Sequence, residues 1–373
     1  MLMTENERPL RRGWTTGTCA AAASKAACAA LLSGDFPDPV EVTLPGGQQP
    51  AFALARWEKG DDWAMAGIVK DAGDDPDVTH GALVLSRVRR GARGTGIIYK
   101  AGPGVGVVTR AGLPIPPGEA AINPVPRKMI ARAIADVAGK GGDFEVEISV
   151  ENGEEMAKRT MNGRLGIVGG ISILGTTGVV IPYSCSAWIH SIYSGIDVAR
   201  AAGLDHVAGA TGSASEAAVQ KFHDLPEIAL IDMGDFVGGM LKHLRAHPVR
   251  RVTIAGGAAK MTKLAQGMLD VHSKRGTADL DALAEVAVEA GATTELAGRI
   301  RGANMVAEAF QLAVAEGVPL GGLIAAKAWQ TAASVLGDVG IELEILVFDR
   351  AGELLGHAPF AACHGVSRPR NRR

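Results

Sequence analysis

At 373 residues the chain exceeds the size at which one hydrophobic core usually keeps growing, so two domains are expected. Its 47% apolar and 21% charged residues are globular composition and exclude disorder. Lys plus Arg number 38 against 40 Asp plus Glu, a net charge of -2, so no polycationic field speaks for nucleic acid and any anionic partner must be met locally.

In chain order, GWTTGTCAAAASKAACAALLSG (Gly13 to Gly34) reads as a threonine-rich turn followed by an alanine helix. Thr16 or Thr18 can cap its first amides, and Gly34 can close its far end. VEVTLPGGQQPAFALARWEKG then gives two β segments about the turn at Pro45 to Gly47, and WAMAGIVKDAG, GALVLSRVRRG and GTGIIYKAG add strands. A helix beginning near Pro126 carries the stripe Met129, Ile130, Ala133, Ile134 and Val137, and EVEISVENG alternates as a strand. Strands gathered before a late helix predict an α+β domain over 1–155, with a ribosomal protein S5 domain 2-like fold as a candidate.

Residues 156–373 change rhythm to strand, glycine turn, helix, in HVAGATGSASEAAVQKF, EIALIDMGDFVGGMLKHLRAH and RVTIAGGAAKMTKLAQGMLD. That rhythm predicts a Rossmann-like α/β domain with a mostly parallel sheet. Helices around DLDALAEVAVEAG and ANMVAEAFQLAVAEG precede IELEILVFD, read as the edge or return strand. The uncharged Leu165 to Tyr183 holds five glycines and Pro182, which favours buried strands and turns over a membrane span. Cys19, Cys28, Cys185 and Cys363 lack paired metal spacing, and MLMTENERPLRR lacks a secretory apolar run. No bound metal and a reducing cytoplasm are therefore expected. The basic run Arg368 to Arg373 reads as a solvated terminus.

Four stretches could carry chemistry. Thr15, Thr16 and Thr18 around Gly17 open a helix, where free amides and the dipole attract a carboxylate or phosphate; capping explains the same residues, and both readings stay open. KDAGDDPDVTHG sets Asp71, Asp74, Asp75, Asp77 and His80 in one loop without EF-hand spacing. It is either a turn whose aspartates bond their own backbone or a functional loop in which an aspartate or His80 accepts a proton. In INPVPRKMI, Asn123 precedes a helix with Arg127 and Lys128 in its first turns, unfavourable by dipole logic unless an anion lies nearby. Gly166 to Val180 repeats the glycine and threonine theme with Gly175, Thr176 and Thr177, where the two domains are expected to meet and ligand clefts are common.

In the second half, ligands of open α/β sheets settle at strand carboxyl ends. That makes Gly209, Thr211, Gly212, Ser213, Glu216, Gly256, Gly257 and Lys260 candidates, although neither turn has the full G-x-G-x-x-G fingerprint. His272 reads as a structural hydrogen bonder rather than a base.

RRGWTTGTCAAAASKAA, KDAGDDPDVTHG, GPGVGVVTRAGLPIPPGEAAINPVPRKMI and NGRLGIVGGISILGTTGVVIPYS resemble, in order, the blocks of the cobalt-precorrin-5B C(1)-methyltransferase (CbiD) family of anaerobic cobalamin biosynthesis. The second half departs from that pattern at Ser213, Ala258, Asp270 to Ser273 and Ala278 to Asp281. The resemblance implies transfer of a methyl group from S-adenosylmethionine to C1 of cobalt-precorrin-5B, giving cobalt-precorrin-6A, with the cobalt carried by the substrate. It implies that Thr15, Thr16, Gly17, Thr18, Asn123, Arg127, Gly175, Thr176 and Thr177 meet the polyacidic macrocycle. With that donor, the strand-end residues are the candidates for S-adenosylmethionine, and Asp75, Asp77 and His80 are the candidates for any base, a role the resemblance itself does not assign. It implies no membrane and no nucleic acid, and leaves homo-oligomerisation open. A noncatalytic tetrapyrrole carrier and a nucleotide-dependent enzyme with a glycine-turn phosphate site are the rival readings. The absence of a Walker A sequence and of a full dinucleotide fingerprint argues against the second.

Overall fold

The computed structural model describes residues 9–139 and 142–363, so the run Arg368 to Arg373 lies outside the described residues. The protein is α/β with mixed sheets and divides into two compact units, 1–185 and 186–373. The boundary falls some thirty residues beyond the expected 155. The reason is pairing: Ile167–Val168 pairs with Val107–Val108, Gly170–Ile171 with Gly104–Val105, and Val179–Val180 with Gly13–Trp14. These short strands and turns occupy Leu165 to Tyr183, and among the described residues no helix is long and apolar enough to cross a membrane.

The first unit is built on a sheet of order Arg56–Lys59, Trp63–Val69, Leu83–Arg90, Phe144–Val150, Ile97–Ala101. All neighbours are antiparallel except the last pair. Phe144–Val150 alternates buried and half-buried, as its sequence period demands. The helix Thr16–Ser33 lies against Trp63–Val69 and Leu83–Arg90 and also against the helix Pro124–Ala138. Buried on both sides, it has room only for small side chains: Ala20, Ala21, Ala22, Ala23, Ala26, Ala27 and Ala30 are at most 1% exposed. Ser24 Oγ meets Ser86 Oγ at 2.8 Å and donates to the Ala20 carbonyl, so this buried hydroxyl is satisfied. Gly34 closes the helix in the left-handed conformation, as expected.

In the second unit the sheet order is Leu230–Asp232, His206–Ala210, Arg251–Gly257, Glu342–Phe348, Leu354–Ala362, parallel except for the last pair. The three expected strand-turn-helix units are present. IELEILVFD is not the edge strand: Glu342–Phe348 is interior and almost wholly buried, as a continuous apolar run between two neighbours should be. The edge is Leu354–Ala362, which contains Pro359 and lies antiparallel.

One buried polar knot ties this sheet together. The Glu344 carboxylate, 3% exposed, lies 2.5 Å from His223 Nε2 and 2.9 Å from His357 Nε2, and accepts from Thr253 Oγ1 at 2.7 Å. His206 Nε2 lies 2.8 Å from the same hydroxyl. Burial first, then the neighbouring His223 and Arg251, hold the His206 imidazole down at about 4 despite Glu344. The unfolded chain, whose histidine titrates near about 6.5, therefore binds the proton more readily than the folded one. His206's contribution is complete above about pH 6.5 and is lost as pH falls toward 4. Because the ring is partly exposed, the loss should be about 1–2 kcal/mol. Urea titrations of His206→Gln between pH 7 and 4 should show a correspondingly shallower dependence than the parent.

Candidate active site

In the first unit the four sequence blocks converge. Trp14 N–H donates to Asp71 O at 2.7 Å, and Arg11 and Asp74 exchange bonds through Arg11 N–H to Asp74 Oδ2 (2.6 Å) and Asp74 N–H to Arg11 O (3.0 Å). The Arg11 guanidinium grips Asp71 through both nitrogens. That bond, with the Gly73 N–H, holds the Asp71 carboxyl down at about 2. Asp75 Oδ1 accepts from the Tyr183 N–H at 2.8 Å. Tyr183 is a non-glycine residue with φ of 57° and a 69% exposed side chain, so this bond holds a strained turn.

The threonines face inward. Thr15, not Thr16 or Thr18, is the N-cap, accepting from the Thr18 N–H at 3.2 Å. Thr16 Oγ1 donates to Leu174 O and accepts from Leu174 N–H, Gly17 N–H donates to Leu174 O, and Thr18 Oγ1 donates to Gly178 O at 2.7 Å. All three threonines are buried. What the fold presents here is a clamp on the 174–178 loop rather than an open anion cradle. Gly175 belongs to the same clamp, because at φ of 129° a Cβ there would strike the Thr15 side chain. Thr176 and Thr177 lie on the exposed side of that loop. Thr18→Val, which leaves the Gly178 carbonyl without its buried donor, is expected to cost about 1–3 kcal/mol in chemical denaturation.

The anion near Arg127 is the protein's own. Its guanidinium pairs with Glu119 at 2.7 Å and donates to the carbonyls of Ile122 and Ala120, lying 5.2 Å from the Tyr99 ring. Asn123 occupies the N-cap position without a side-chain cap bond, and its N–H donates to Ile173 O.

The three proposed proton carriers separate on geometry. Asp77 faces the buried Lys70, whose Nζ donates at 2.7 Å, and accepts from both the Thr79 N–H and hydroxyl. Burial would raise its carboxyl, but the Lys70 charge and these bonds outweigh it and hold the group below the ordinary range. Such a carboxylate is a structural partner and a weak base. His80 accepts the Ala72 N–H at Nδ1, 3.1 Å, which places the proton of a neutral ring on Nε2 and makes its exposed nitrogen a donor. Asp75 keeps a half-exposed carboxylate beside Tyr183.

In the second unit the strand ends behave as two kinds of turn. Gly209 and Gly256 are packing glycines: a Cβ on the first would strike Met240, and on the second would come within 2.6 Å of Met261 Sδ and 2.8 Å of Thr211 Oγ1. Gly212 and Gly257 each open a helix, Ser213–His223 and Ala258–Ala265, with no side-chain cap bond, and nothing lies within 4 Å of where a Cβ would sit. They flank the point where the chain, having run from His206–Ala210 out to Leu230–Asp232, crosses to Arg251–Gly257 on the other side. Such a switch point leaves a crevice at the strand carboxyl ends. Lys260 lies at these strand ends, its Nζ donating to Thr211 O and lying 3.0 Å from Asp235 Oδ1. That Asp235 oxygen is buried and has no hydrogen-bond partner, the Lys260 contact being one of charge without hydrogen-bond geometry. Glu216 sits in the first turn of the 213–223 helix. The sequence reading did not single out Asp232 or Asp235, although an acidic residue stands about 20 positions after the Gly212 turn. His272 and Asp279 serve locally, His272 Nδ1 accepting from Lys274 N–H and Asp279 capping the helix Leu280–Glu289.

The second unit is thus of the open α/β class, in which ligands favour the strand carboxyl ends at a topological switch point. Residues 3–182 match the CbiD family model and 270–359 that of the CbiD C-terminal domain. The chain is 68% identical over 97% of its length to "Cobalt-precorrin-5B C(1)-methyltransferase" of Agrobacterium fabrum, covering 96% of that protein. It is 60% identical over 93% of its length to the protein of the same name from Methylorubrum extorquens, covering 97% of it. It also matches, at 30% identity and a TM-score of 0.38, the crystal structure of the cobalamin biosynthesis protein (cbiD) of Archaeoglobus fulgidus, over 71% of this chain and 83% of that one. The chain belongs to the CbiD family.

Proposed function

We propose that this protein methylates C1 of cobalt-precorrin-5B with S-adenosylmethionine, giving cobalt-precorrin-6A in cobalamin biosynthesis. The observation that carries the reading is 68% identity, over 97% of the chain, to a relative bearing that name. The cobalt enters with the substrate and the setting is the cytoplasm.

The second unit is read as Rossmann-like and as the donor's site. Three features fit S-adenosylmethionine: the open helix starts at Gly212 and Gly257, the buried Asp235 oxygen awaiting a hydroxyl donor, and the Lys260 ammonium for a carboxylate. Asp232 and Asp235 would receive the ribose hydroxyls; Thr211, Ser213 and the amides after Gly212 and Gly257 would hold the amino-acid end, and Glu216 adds negative charge beside a cation. The bound donor supplies an already activated methyl group, so the protein's task is alignment and exclusion of water. Orientation of this kind can contribute roughly 7 to 11 kcal/mol.

The first unit, a mixed sheet under two helices read as S5 domain 2-like, is the macrocycle's side. Thr15, Thr16, Gly17 and Thr18 act as positioning residues by clamping the 174–178 loop, and Thr176 and Thr177 offer hydroxyls to substrate carboxylates. Leu174, Ile181 and Tyr183, 49%, 52% and 69% exposed, would offer apolar contacts to a flat ring. His80 Nε2–H donates to a carboxylate or ring substituent, and Asp75 is the candidate base if a ring proton must leave. Incubation of the purified protein with cobalt-precorrin-5B and methyl-labelled donor tests the proposal: mass spectrometry should find one labelled methyl in the product, and recovery of unmodified substrate at every enzyme concentration would refute it.

A further inference from the structure

The helices Cys185–Ala201 and Val237–Ala246 bring together a group of ligand-bearing side chains that the methyl-transfer reading does not use. His243 lies in the last turn of the second helix and His247 is the residue that ends it, its N–H donating to the His243 carbonyl at 2.8 Å; their rings stack at 4.4 Å with a 28° interplanar angle. Asp197 Oδ1, from the other helix, lies 2.9 Å from His243 Nε2. One ligand atom each from Asp197, His243 and His247 lies within 4.8 Å of the other two. Tyr193, one turn before Asp197, stacks on the His243 ring at 4.3 Å and 11°, which fixes the plane in which that imidazole presents its nitrogens. His243 is 11% exposed, Asp197 is 32% exposed and His247 is open to solvent, so the cluster has a packed floor and an accessible mouth.

A histidine–aspartate hydrogen bond between two helices is a common structural device and accounts for Asp197 and His243. It does not account for a second imidazole brought to the same point. We propose that Asp197, His243 and His247 form a binding site for a borderline divalent transition-metal ion, with Zn²⁺ as the representative case. Two neutral imidazole nitrogens and one carboxylate oxygen are a donor set that such ions favour over Mg²⁺ or Ca²⁺, and three protein ligands leave a fourth tetrahedral position to water. On binding, the ion takes the place of the proton that His243 Nε2 shares with Asp197, and the imidazole proton moves to Nδ1. The Arg200 guanidinium, 3.9 Å from the same Asp197 oxygen and donating to the Pro248 carbonyl, competes for the carboxylate and limits the affinity. The ion would pin the carboxyl end of one helix to the other, so its signature is stability as well as binding.

The test uses the untagged, full-length protein stripped with chelator. Calorimetric titration with Zn²⁺ and visible absorption on titration with Co²⁺ should each give one ion per chain, with a melting midpoint that rises as Zn²⁺ is added. His247→Ala, at an exposed position, should keep the parent's circular dichroism yet lose at least about tenfold in Zn²⁺ affinity together with the thermal shift, and Asp197→Asn should do the same. Absence of Zn²⁺ and Co²⁺ binding by the parent overturns the proposal. So does affinity unchanged in both variants, which would place the ion elsewhere.

Discussion

Asp77→Asn should destabilise the protein by about 3–5 kcal/mol, the largest effect of any single substitution in the aspartate loop. Lys70 is 1% exposed, and its ammonium faces the Asp77 carboxylate at 2.7 Å. Neutralising the acid leaves a buried cation without its charge partner. Replacing Lys70 by Met in the same chain removes the charge as well as its partner and should recover most of the loss, since paired removal is often close to neutral. Urea denaturation of the two variants against the parent measures this. The pH profile has a definite sign: the Asp77 carboxyl is held below its ordinary value, so the pair's stability is complete above about pH 4 and disappears as pH falls through the folded value. If the single variant were as stable as the parent but inactive, Asp77 would be a base after all.

Gly257→Val should leave stability within about 0.5 kcal/mol and yet lower kcat/KM by roughly 100-fold, chiefly through KM for the methyl donor. The contrast arises because Gly257 has ordinary helix-start dihedrals and nothing within 4 Å of where a Cβ would stand, so a side chain starts there without meeting the protein. It would, however, occupy space in front of the amides of the Ala258–Ala265 helix, where the proposed donor site places the ligand. Gly209→Val should behave oppositely: its Cβ would strike Met240, so stability rather than KM changes. Steady-state kinetics with thermal melts on both variants separate a ligand glycine from a packing glycine.

That pair also marks how far the sequence could be read. Periodicity found the sheets and most helices because Phe144–Val150 alternates and Met129, Ile130, Ala133 and Ile134 form a stripe, both local signals. Missing from that reading were the helices Cys185–Ala201, Thr294–Arg301 and Leu320–Leu336, the last opening on Leu-Gly-Gly without a capping residue, and the strand Leu354–Ala362, whose proline hides an edge strand. The motif blocks come together in the first unit, yet what each side chain touches depends on partners far away in sequence. Thr18 meets Gly178, Asp75 meets Tyr183 and Asp77 meets Lys70, and only the fold supplies such pairings. Gly209 and Gly212, three residues apart, look alike in sequence; the methionines that separate their roles come from the next unit of the sheet.

The most direct measurement is a crystal structure of the protein with S-adenosylhomocysteine bound. Its adenosine and amino-acid ends should lie between the Thr211–Ser213 and Gly256–Ala258 turns, with a ribose hydroxyl within hydrogen-bond distance of Asp235 Oδ1 and Lys260 turned toward the ligand's carboxylate. Ligand density away from both turns, with the Asp235 oxygen still without a partner, would contradict the assignment of the donor site.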